Sequence, residues 1–199
     1  MTRIPPLPVE QWSPEMAAFV SGYRSSVASA GPEQGRASGS NLLGTLARYP
    51  ELTQSFLTFN SHLLRGTSLS PRQRELLVLR VAAHRGSDYE WAQHVLLARR
   101  AGLTDTEIAL VADDPGAEQF SPSERSMLAA VDELLDDGTI GAQTWTALST
   151  ELDDQQLMDL VFTVGAYSML AMALRSFGIE PEDELVPHLP AAGKTVMPH

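Results

Sequence analysis

The chain has 199 residues, of which 43% are hydrophobic, so it is long enough to bury a substantial core. Its formal net charge of -11 and pI near 4.8 disfavour nucleic acid and anionic membranes as partners. The absence of cysteine excludes disulfides, thiolate metal sites and thiol-dependent redox chemistry. The only lysine, Lys194, lies in a Pro/Ala/Gly-rich tail, so a Schiff-base or general-base lysine in the core is not expected.

Hydropathy along the chain gives no targeting or membrane signal. The N-terminal segment has no apolar core of the kind that a secretory signal needs. The longest apolar run, Leu160 to Leu174, is interrupted by polar and glycine residues and is shorter than the roughly 20 residues of a membrane span. We therefore expect a cytoplasmic protein that does not bind membranes.

The N-terminal third is predicted to hold short helices around a long loop. Residues 1–12 are proline-rich and predicted to be extended, and a short helix follows from Ser13 to Tyr23. Residues 24–40 are rich in Ser, Gly and Ala and are predicted to form a long loop, which at this length is either mobile or functional. A short helix from Asn41 ends at Pro50. The next helix has four apolar residues at helical spacing: Leu52, Phe56, Phe59 and Leu63.

The stretch from Leu69 to Gly102 predicts two consecutive helices. Residues 70–73 combine an N-cap serine, a first-turn proline and a capping-box glutamine. Residues 75–83 are apolar on almost every side, which is typical of a helix buried within a bundle. Gly86 separates the two helices, and Gly102 supplies a left-handed cap at the end of the second.

Four further helices are predicted in the C-terminal half: Thr104 to about Val111, Ser121 to before Gly138, Ala142–Thr150, and Leu157–Ser176 with Asp153 as its cap. Residues 182–199 form a proline-punctuated tail. No segment shows sustained alternation of apolar and polar residues, so the predicted fold is all-α.

Glu90 and His94 are the leading candidates for chemistry. They are four residues apart, so they share one face of a helix with Cβ atoms about 5–6 Å apart. A buried hydrogen bond between them would set the imidazole tautomer for proton transfer. The alternative is an ordinary ion pair on a solvated helix edge.

Other polar residues allow two interpretations each. Glu75 is either a first-turn carboxylate that favours the helix dipole or a group that points across at the Glu90/His94 face.

His62 or His84 could complete a metal site with these carboxylates, but no recognised zinc spacing is present and we predict no metal. His84 is expected to cap a helix end. The long helix carries three residues expected in the core, with pocket lining as the alternative: Tyr167, Met169 and Met172.

The central stretch resembles the carboxymuconolactone decarboxylase family of the alkylhydroperoxidase D-like superfamily, over about Asn41 to Ile179. The resemblance rests on these segments: Arg74-Glu75-Leu76, Leu79-Arg80-Val81-Ala82, Tyr89-Glu90-Trp91-Ala92-Gln93-His94, Ala101-Gly102-Leu103 and Glu107-Ile108. The peroxidase branch has Glu-x11-Cys-x2-Cys-x3-His, and here Ser87 and Glu90 occupy the two cysteine positions. Thiol-dependent peroxide reduction is therefore excluded, whereas the Glu-x3-His of the decarboxylase branch is matched.

The resemblance implies one domain over residues 1–199, an alkylhydroperoxidase D-like helical bundle with residues 1–40 as an N-terminal extension. It further implies a homo-oligomer, trimeric or hexameric, that acts without cofactor on a small organic acid or lactone as a lyase or isomerase. His94 would be the general acid/base, Glu90 its orienting or proton-sharing partner, and Glu75 a supporting carboxylate. Five residues are candidate substrate contacts: Arg80, Ser87, Tyr89, Trp91 and Tyr167. A catalytically silent binding module and a metal-dependent enzyme remain as alternatives.

Overall fold

The computed structural model of the chain describes residues 1–28 and 39–190, and every regular element within these ranges is helical. The α-helices, in chain order, are α1 (Pro14–Ala28), α2 (Ser40–Leu46), α3 (Pro50–Ser61), α4 (Pro71–Arg85), α5 (Asp88–Arg100), α6 (Asp105–Asp113), α7 (Pro122–Asp136), α8 (Ala142–Leu148) and α9 (Asp154–Phe177). Short 3-10 helices lie at Val9–Gln11 and Asp183–His188, and a π-helical turn lies at His62–Gly66. The prediction of an all-α fold is confirmed.

Helix starts follow the capping signals in the sequence. Ser70, Thr104, Ser121 and Asp153 each accept a hydrogen bond from the backbone three residues later, and that residue's side chain accepts one back from the cap. Each capping box satisfies two backbone N–H groups that the first turn of a helix leaves without partners. These local contacts fix where α4, α6, α7 and α9 begin.

Helix α4 is the centre of the fold. It packs against α5, α6, α7 and α9, and its residues 76–79 are fully buried. One apolar core joins α4 to α7, α8 and α9, and a second joins α4 to α5, α6 and α7. The prediction that residues 75–83 form a helix buried within a bundle is therefore confirmed.

The N-terminal helices form a separate layer. Helices α1, α2 and α3 share a small apolar core that includes Met16, Leu43 and Leu57. The extended segment before α1 crosses α2 at Gly44, where a Cβ atom would lie 2.8 Å from the Leu7 carbonyl oxygen. This close crossing requires glycine and anchors the start of the chain on the helical layer.

Three expectations differ from the structure. Helix α1 continues to Ala28, so residues 24–28 are helical rather than part of a loop; residues 29–38 of that predicted loop, and Lys194, lie outside the described residues. Leu52 and Phe59 are exposed, because α3 buries the face that carries Thr53, Leu57 and Asn60. Because Thr53 and Asn60 are polar, a search for apolar residues at helical spacing does not detect this buried face.

The third difference concerns α9, where Met169 and Met172 are 50% and 54% exposed rather than in the core. This helix is long and apolar enough, by length and composition alone, to cross a membrane, and half of its most apolar window is buried in the fold. A core helix of a water-soluble protein has the same properties, and α9 packs on α4 and α7 with its buried half.

Candidate functional site

The pairing of Glu75 and His94 joins the two central helices. Glu75 lies at the start of α4 and is fully buried, and His94 lies in the middle of α5 and is 7% exposed. The Nδ1 atom of His94 is 2.7 Å from Oε2 of Glu75. A carboxylate that accepts the Nδ1 proton fixes the ring orientation and leaves Nε2 for chemistry. The sequence left two interpretations of Glu75, a first-turn carboxylate that favours the helix dipole or a group that points across at the Glu90/His94 face. The structure shows the second.

Arg74 holds the second oxygen of Glu75. Its Nε atom donates to Oε1 of Glu75 at 2.9 Å, and its Nη1 atom donates to the Leu64 carbonyl at 3.0 Å. Complete burial favours the neutral form of Glu75, but its charge interactions and hydrogen bonds with His94 and Arg74 together outweigh burial and lower the pKa of Glu75 below its usual value. Glu75 is therefore an ionised carboxylate that holds the imidazole.

Glu90 has the opposite environment. It is 2% exposed, and neither of its carboxyl oxygens has a hydrogen-bond partner among the described residues. Burial raises the pKa of Glu90 well above its usual value, and the nearby Ser87 hydroxyl opposes this only weakly. Glu90 lies in the first turn of α5, where the helix dipole stabilises a negative charge by about 0.3–1 kcal/mol. Burial of an unpaired ion costs several kcal/mol, so burial decides the protonation state.

The expected hydrogen bond between Glu90 and His94 is not formed, which corrects the interpretation of their spacing. Residues four apart on a helix are neighbours, but His94 turns its Nδ1 atom toward α4 and Glu75. The structure therefore gives the orienting position to Glu75. It leaves Glu90, on the same helix face as His94, without a hydrogen-bond partner within residues 1–28 and 39–190.

Glu90 and His94 both line a cavity of about 320 Å³ between the N-terminal helices, α5 and α9. The ring of Tyr167 also lines it and meets the His94 ring edge to face, with centroids 5.0 Å apart. Burial raises the pKa of the Tyr167 phenol, so this side chain remains a neutral hydroxyl. The volume of the cavity falls within the range of small-molecule sites.

The five candidate substrate contacts divide between this cavity and other places. Tyr89 and Tyr167 line the cavity, and the Tyr89 hydroxyl donates to Oε1 of Glu182 at 3.0 Å. Ser87 and Trp91 line a separate hollow of about 420 Å³ beside α5. The structure therefore does not bring Ser87 or Trp91 to the His94 cavity.

Arg80 also lies away from the cavity. Its Nε and Nη2 atoms donate to the two carboxylate oxygens of Asp132 at 2.7 and 2.9 Å. Its Nη1 atom donates to the carbonyls of Val111 and Ala112 at the end of α6. Arg80 thus joins α4 to α6 and α7, which accounts for its burial without a ligand.

The remaining histidines considered for a metal site point elsewhere. His62 lies 3.1 Å from Oδ1 of Asp159, and His84 lies 3.0 Å from Oδ1 of Asp136 rather than capping its own helix. Within residues 1–28 and 39–190, no three His, Asp or Glu side chains are grouped so that they could hold a metal ion.

Sequence reasoning missed the part of the cavity wall that comes from the N-terminal helices. The Tyr23 hydroxyl donates to Oδ1 of the buried Asn60 at 3.1 Å, and both residues line the cavity with Arg24 and Phe56. Asn60 between apolar residues of a predicted helix was the available signal, because a buried amide in a helix usually has a partner or a ligand.

Comparisons with known proteins show what the chain is similar to. The model of the carboxymuconolactone decarboxylase family matches residues 50–133, which include Glu75, Glu90 and His94. No curated protein sequence matches the chain.

Solved structures share the fold at low sequence identity. A peroxidase-related protein from Ralstonia eutropha JMP134, described as an alkylhydroperoxidase AhpD core, has 20% identity and a TM-score of 0.72, over 92% of this chain and 94% of that one. A peroxidase-related protein from Silicibacter sp. TM1040 has 17% identity and a TM-score of 0.72, over 90% and 91%. A cysteine-to-alanine variant of the debrominase Bmp8, in complex with 2,3,4-tribromopyrrole, has 11% identity and a TM-score of 0.76, over 94% and 96%.

At such identities these structures establish the fold alone. Residues 50–133 match the carboxymuconolactone decarboxylase family, and the chain has an alkylhydroperoxidase D-like helical fold without the Cys-x-x-Cys pair.

Proposed function

We propose that the chain is a cofactor-free lyase or isomerase that moves protons on a small organic acid or lactone. The observation that carries this proposal is the contrast between two buried glutamates beside one histidine. Glu75 is ionised and bonded to His94, whereas Glu90 is buried on the wall of the same cavity and its carboxyl oxygens have no hydrogen-bond partner in the part of the chain that the structure describes. Two carboxyl groups whose pKa values are pushed apart are the pattern of an acid and a base in one site.

His94 acts as the base in this mechanism. Glu75 accepts the Nδ1 proton, so the lone pair of a neutral imidazole is on Nε2. Nε2 takes a proton from a carbon next to the substrate carbonyl, and the electron pair of that C–H bond moves toward the carbonyl oxygen. The ionised Glu75 stabilises the imidazolium that forms.

Glu90 acts as the acid. A neutral carboxyl group without a partner can donate its proton to the substrate atom where negative charge develops. In an isomerisation, Glu90 protonates one position while His94 deprotonates another, and the proton returns from His94 to Glu90 between turnovers. In a decarboxylation, the C–C bond to the carboxylate breaks, its electron pair stays on the substrate, and Glu90 protonates that carbon as carbon dioxide leaves. Glu90 then regains a proton from solvent before the next turnover.

The cavity wall supports a small anionic substrate. Most of the lining is apolar, including Leu42, Phe56 and Leu170, with Asn60 and Gln93 as hydrogen-bonding groups. An apolar wall withholds solvent from a departing or reacting carboxylate, which favours the loss of its charge. Arg24 adds a guanidinium to the lining and favours a substrate with a carboxylate.

The test is proton exchange with solvent. The protein is incubated in deuterated water with a panel of γ-lactone acids and 2-oxo acids, and deuterium at carbon is followed by NMR. We expect exchange with a subset of the panel, and a rate about 10²–10⁴-fold lower for both His94→Gln and Glu90→Gln.

The matched control is His62→Gln, because the His62 side chain is 55% exposed, bonds to Asp159 and does not line the cavity. Its exchange rate should equal that of the wild type. Equal rates for His94→Gln and the wild type, with the helical content intact by circular dichroism, would remove His94 from the mechanism. Absence of exchange with every compound in the panel would favour a silent binding module.

A further inference from the structure

A second hollow of about 420 Å³ lies between α5, α6 and residues 187–190. Its wall contains Trp91 and Val95, which are both buried side chains of α5. Among the described residues, none lines both this second hollow and the cavity that contains His94. Small residues from the end of α4 and from α6 leave the space open: Ala82, Ala83, Gly86, Ala109 and Ala112. The second hollow is therefore a separate space of the size of a small-molecule site.

The Ser87 hydroxyl lines this hollow and has no hydrogen-bond partner within residues 1–28 and 39–190, although Ser87 is only 1% exposed. Ser87 occupies the N-cap position of α5, yet its side chain forms no capping bond. Ser70 and Ser121, in the same position of their helices, do form one. A buried polar group without a partner is uncommon and costly. The hydroxyl is therefore available to a molecule in the second hollow.

The formal charges around the second hollow are mostly negative. Four charged side chains line it: Asp88, Asp105, Asp113 and Arg99. Arg99 donates through Nε to Oδ1 of Asp105 at 2.7 Å and through Nη1 to Nδ1 of His188 at 3.2 Å. A guanidinium can only donate, so Nδ1 of His188 carries no proton and this ring is neutral. With three aspartates against one arginine, the lining has an excess of negative charge.

Helix ends at the second hollow act in both directions and do not reverse this balance. The N-terminus of α5 carries a partial positive charge of roughly half a unit. The end of α4 at Gly86 and the last turn of α6 at Ala112 contribute partial charges of the opposite sign. The full charges of the aspartates therefore decide, and the hollow attracts a cation rather than an anion.

We propose that the second hollow binds a small organic amine in its protonated form, with an aromatic or other apolar body. The ammonium donates a hydrogen bond to the Ser87 hydroxyl oxygen and lies near the carboxylate of Asp88, the next residue in the chain. Trp91 is four residues after Ser87, so their Cβ atoms are about 5–6 Å apart and the indole is within reach of the same cation. The apolar body covers Val95, a further turn along α5.

The first test compares three ligands of similar shape: phenethylammonium, neutral phenethyl alcohol and the phenylacetate anion. Binding to the full-length protein is followed through the indole N–H signal of Trp91 by NMR. The chain has three tryptophans, so Trp12→Phe and Trp145→Phe assign this signal by elimination. We expect a saturable shift with phenethylammonium, and an affinity at least about tenfold higher than for the alcohol or the anion, because the indole face and the aspartates favour the cation.

The second test locates the ligand with a matched pair of substitutions. Ala109→Phe places a ring in the hollow from α6 and should abolish the shift of the Trp91 signal. Ala147→Phe is the control, because Ala147 is an exposed alanine of α8 that does not line the hollow. Ala109 is also exposed, so neither substitution disturbs the core. Ala147→Phe should bind phenethylammonium as the wild type does.

The third test addresses the two polar groups. Ser87→Ala should weaken phenethylammonium binding about tenfold, the effect of one hydrogen bond to a charged group. Its thermal midpoint should equal that of the wild type, because the hydroxyl bonds to nothing in the described part of the fold. Asp88→Asn should weaken binding of the ammonium but not of the alcohol, by a factor that shrinks as salt is added.

Four results would overturn the proposal: no saturable shift of the Trp91 signal at tens of millimolar phenethylammonium, phenylacetate binding as tightly as the amine, equal affinities in Ala109→Phe and Ala147→Phe, or an unchanged affinity in Ser87→Ala. His94→Gln should bind the amine as the wild type does, because His94 does not line this hollow. The amine site and the proposed reaction are therefore tested separately.

Discussion

Two glutamates of the same site differ because of what surrounds them. Glu75 has His94 and Arg74 within hydrogen-bond distance, and its charge interactions and hydrogen bonds with them lower its pKa despite complete burial. Glu90 has no hydrogen-bond partner among the described residues, and burial raises its pKa. Both shifts arise from burial and pairing, so substitutions at the two positions should have opposite effects on stability.

Replacement of Glu75 should destabilise the fold. Glu75→Ala leaves the buried His94 and Arg74 without their shared partner, and the loss of one member of a buried ion pair costs about 3–5 kcal/mol. Because the pKa of Glu75 is lowered in the folded state, this stabilisation is present above the unfolded pKa of about 4.3 and is lost as the pH falls through the folded value. Urea denaturation at pH 7 and at acidic pH measures both effects.

The control for this substitution is Asp136→Ala. The Asp136 side chain is 63% exposed and bonds to His84, so its removal should cost no more than about 1 kcal/mol. A similar small loss for Glu75→Ala would show that the buried pair contributes little to the stability of the fold.

Replacement of Glu90 should stabilise the fold as the pH rises. Since its folded pKa is raised, the unfolded chain loses the Glu90 proton above about pH 4.3 while the folded chain keeps it. The unfolding free energy of the wild type should therefore fall, relative to Glu90→Gln, by up to about 1.4 kcal/mol per pH unit between the unfolded and folded pKa values. The difference should be constant below about pH 4. Denaturation of both proteins across this range gives the slope, and a flat difference throughout would mean an ordinary pKa.

At this scale the sequence identified the three residues but not how they pair. The spacing of Glu90 and His94 made a local hydrogen bond the simplest expectation, whereas Glu75 is nineteen positions away from its partner. Which carboxylate reaches the imidazole depends on how α4 packs against α5, and local spacing carries no information on that packing.

At the scale of the helices, local signals were most informative. The capping boxes at Ser70, Thr104, Ser121 and Asp153 were all recognisable from spacing. The partner of Arg80 and the buried face of α3 could not be predicted in this way, because both depend on neighbours that are distant in sequence. An arginine within an apolar helix is equally suited to a ligand carboxylate and to Asp132, and only the packing of α7 decides between them.

The capping boxes predict a measurable contribution to stability. Ser121→Ala removes the hydroxyl that accepts from the Glu124 backbone N–H, so the unfolding free energy should fall by about 1 kcal/mol. Ser55→Ala is a suitable comparison, because Ser55 is exposed within α3 and its hydroxyl bonds to a carbonyl that the helix already satisfies. We expect that change to stay within about 0.5 kcal/mol. An equal loss for both serines would contradict the importance of the cap.

At the scale of the whole molecule, the cavity results from one layer of helices covering another. Its wall combines Tyr23 of α1, Asn60 of α3, His94 of α5 and Tyr167 of α9. These residues are far apart in sequence, so no single stretch predicts the enclosure. The hydropathy pattern predicted the helical fold and the family resemblance pointed to the candidate site residues, but the N-terminal layer that closes the cavity was visible only in the structure.

The most direct measurement of the central claim is a titration of the Glu90 carboxyl carbon by NMR, with the signal assigned from its absence in Glu90→Gln. The account predicts a protonated Glu90 at neutral pH, with ionisation far above the usual value of about 4.3. A Glu90 signal that titrates near pH 4.3 would mean that water reaches this carboxyl group freely, and would contradict a shielded cavity in which it serves as the acid beside His94.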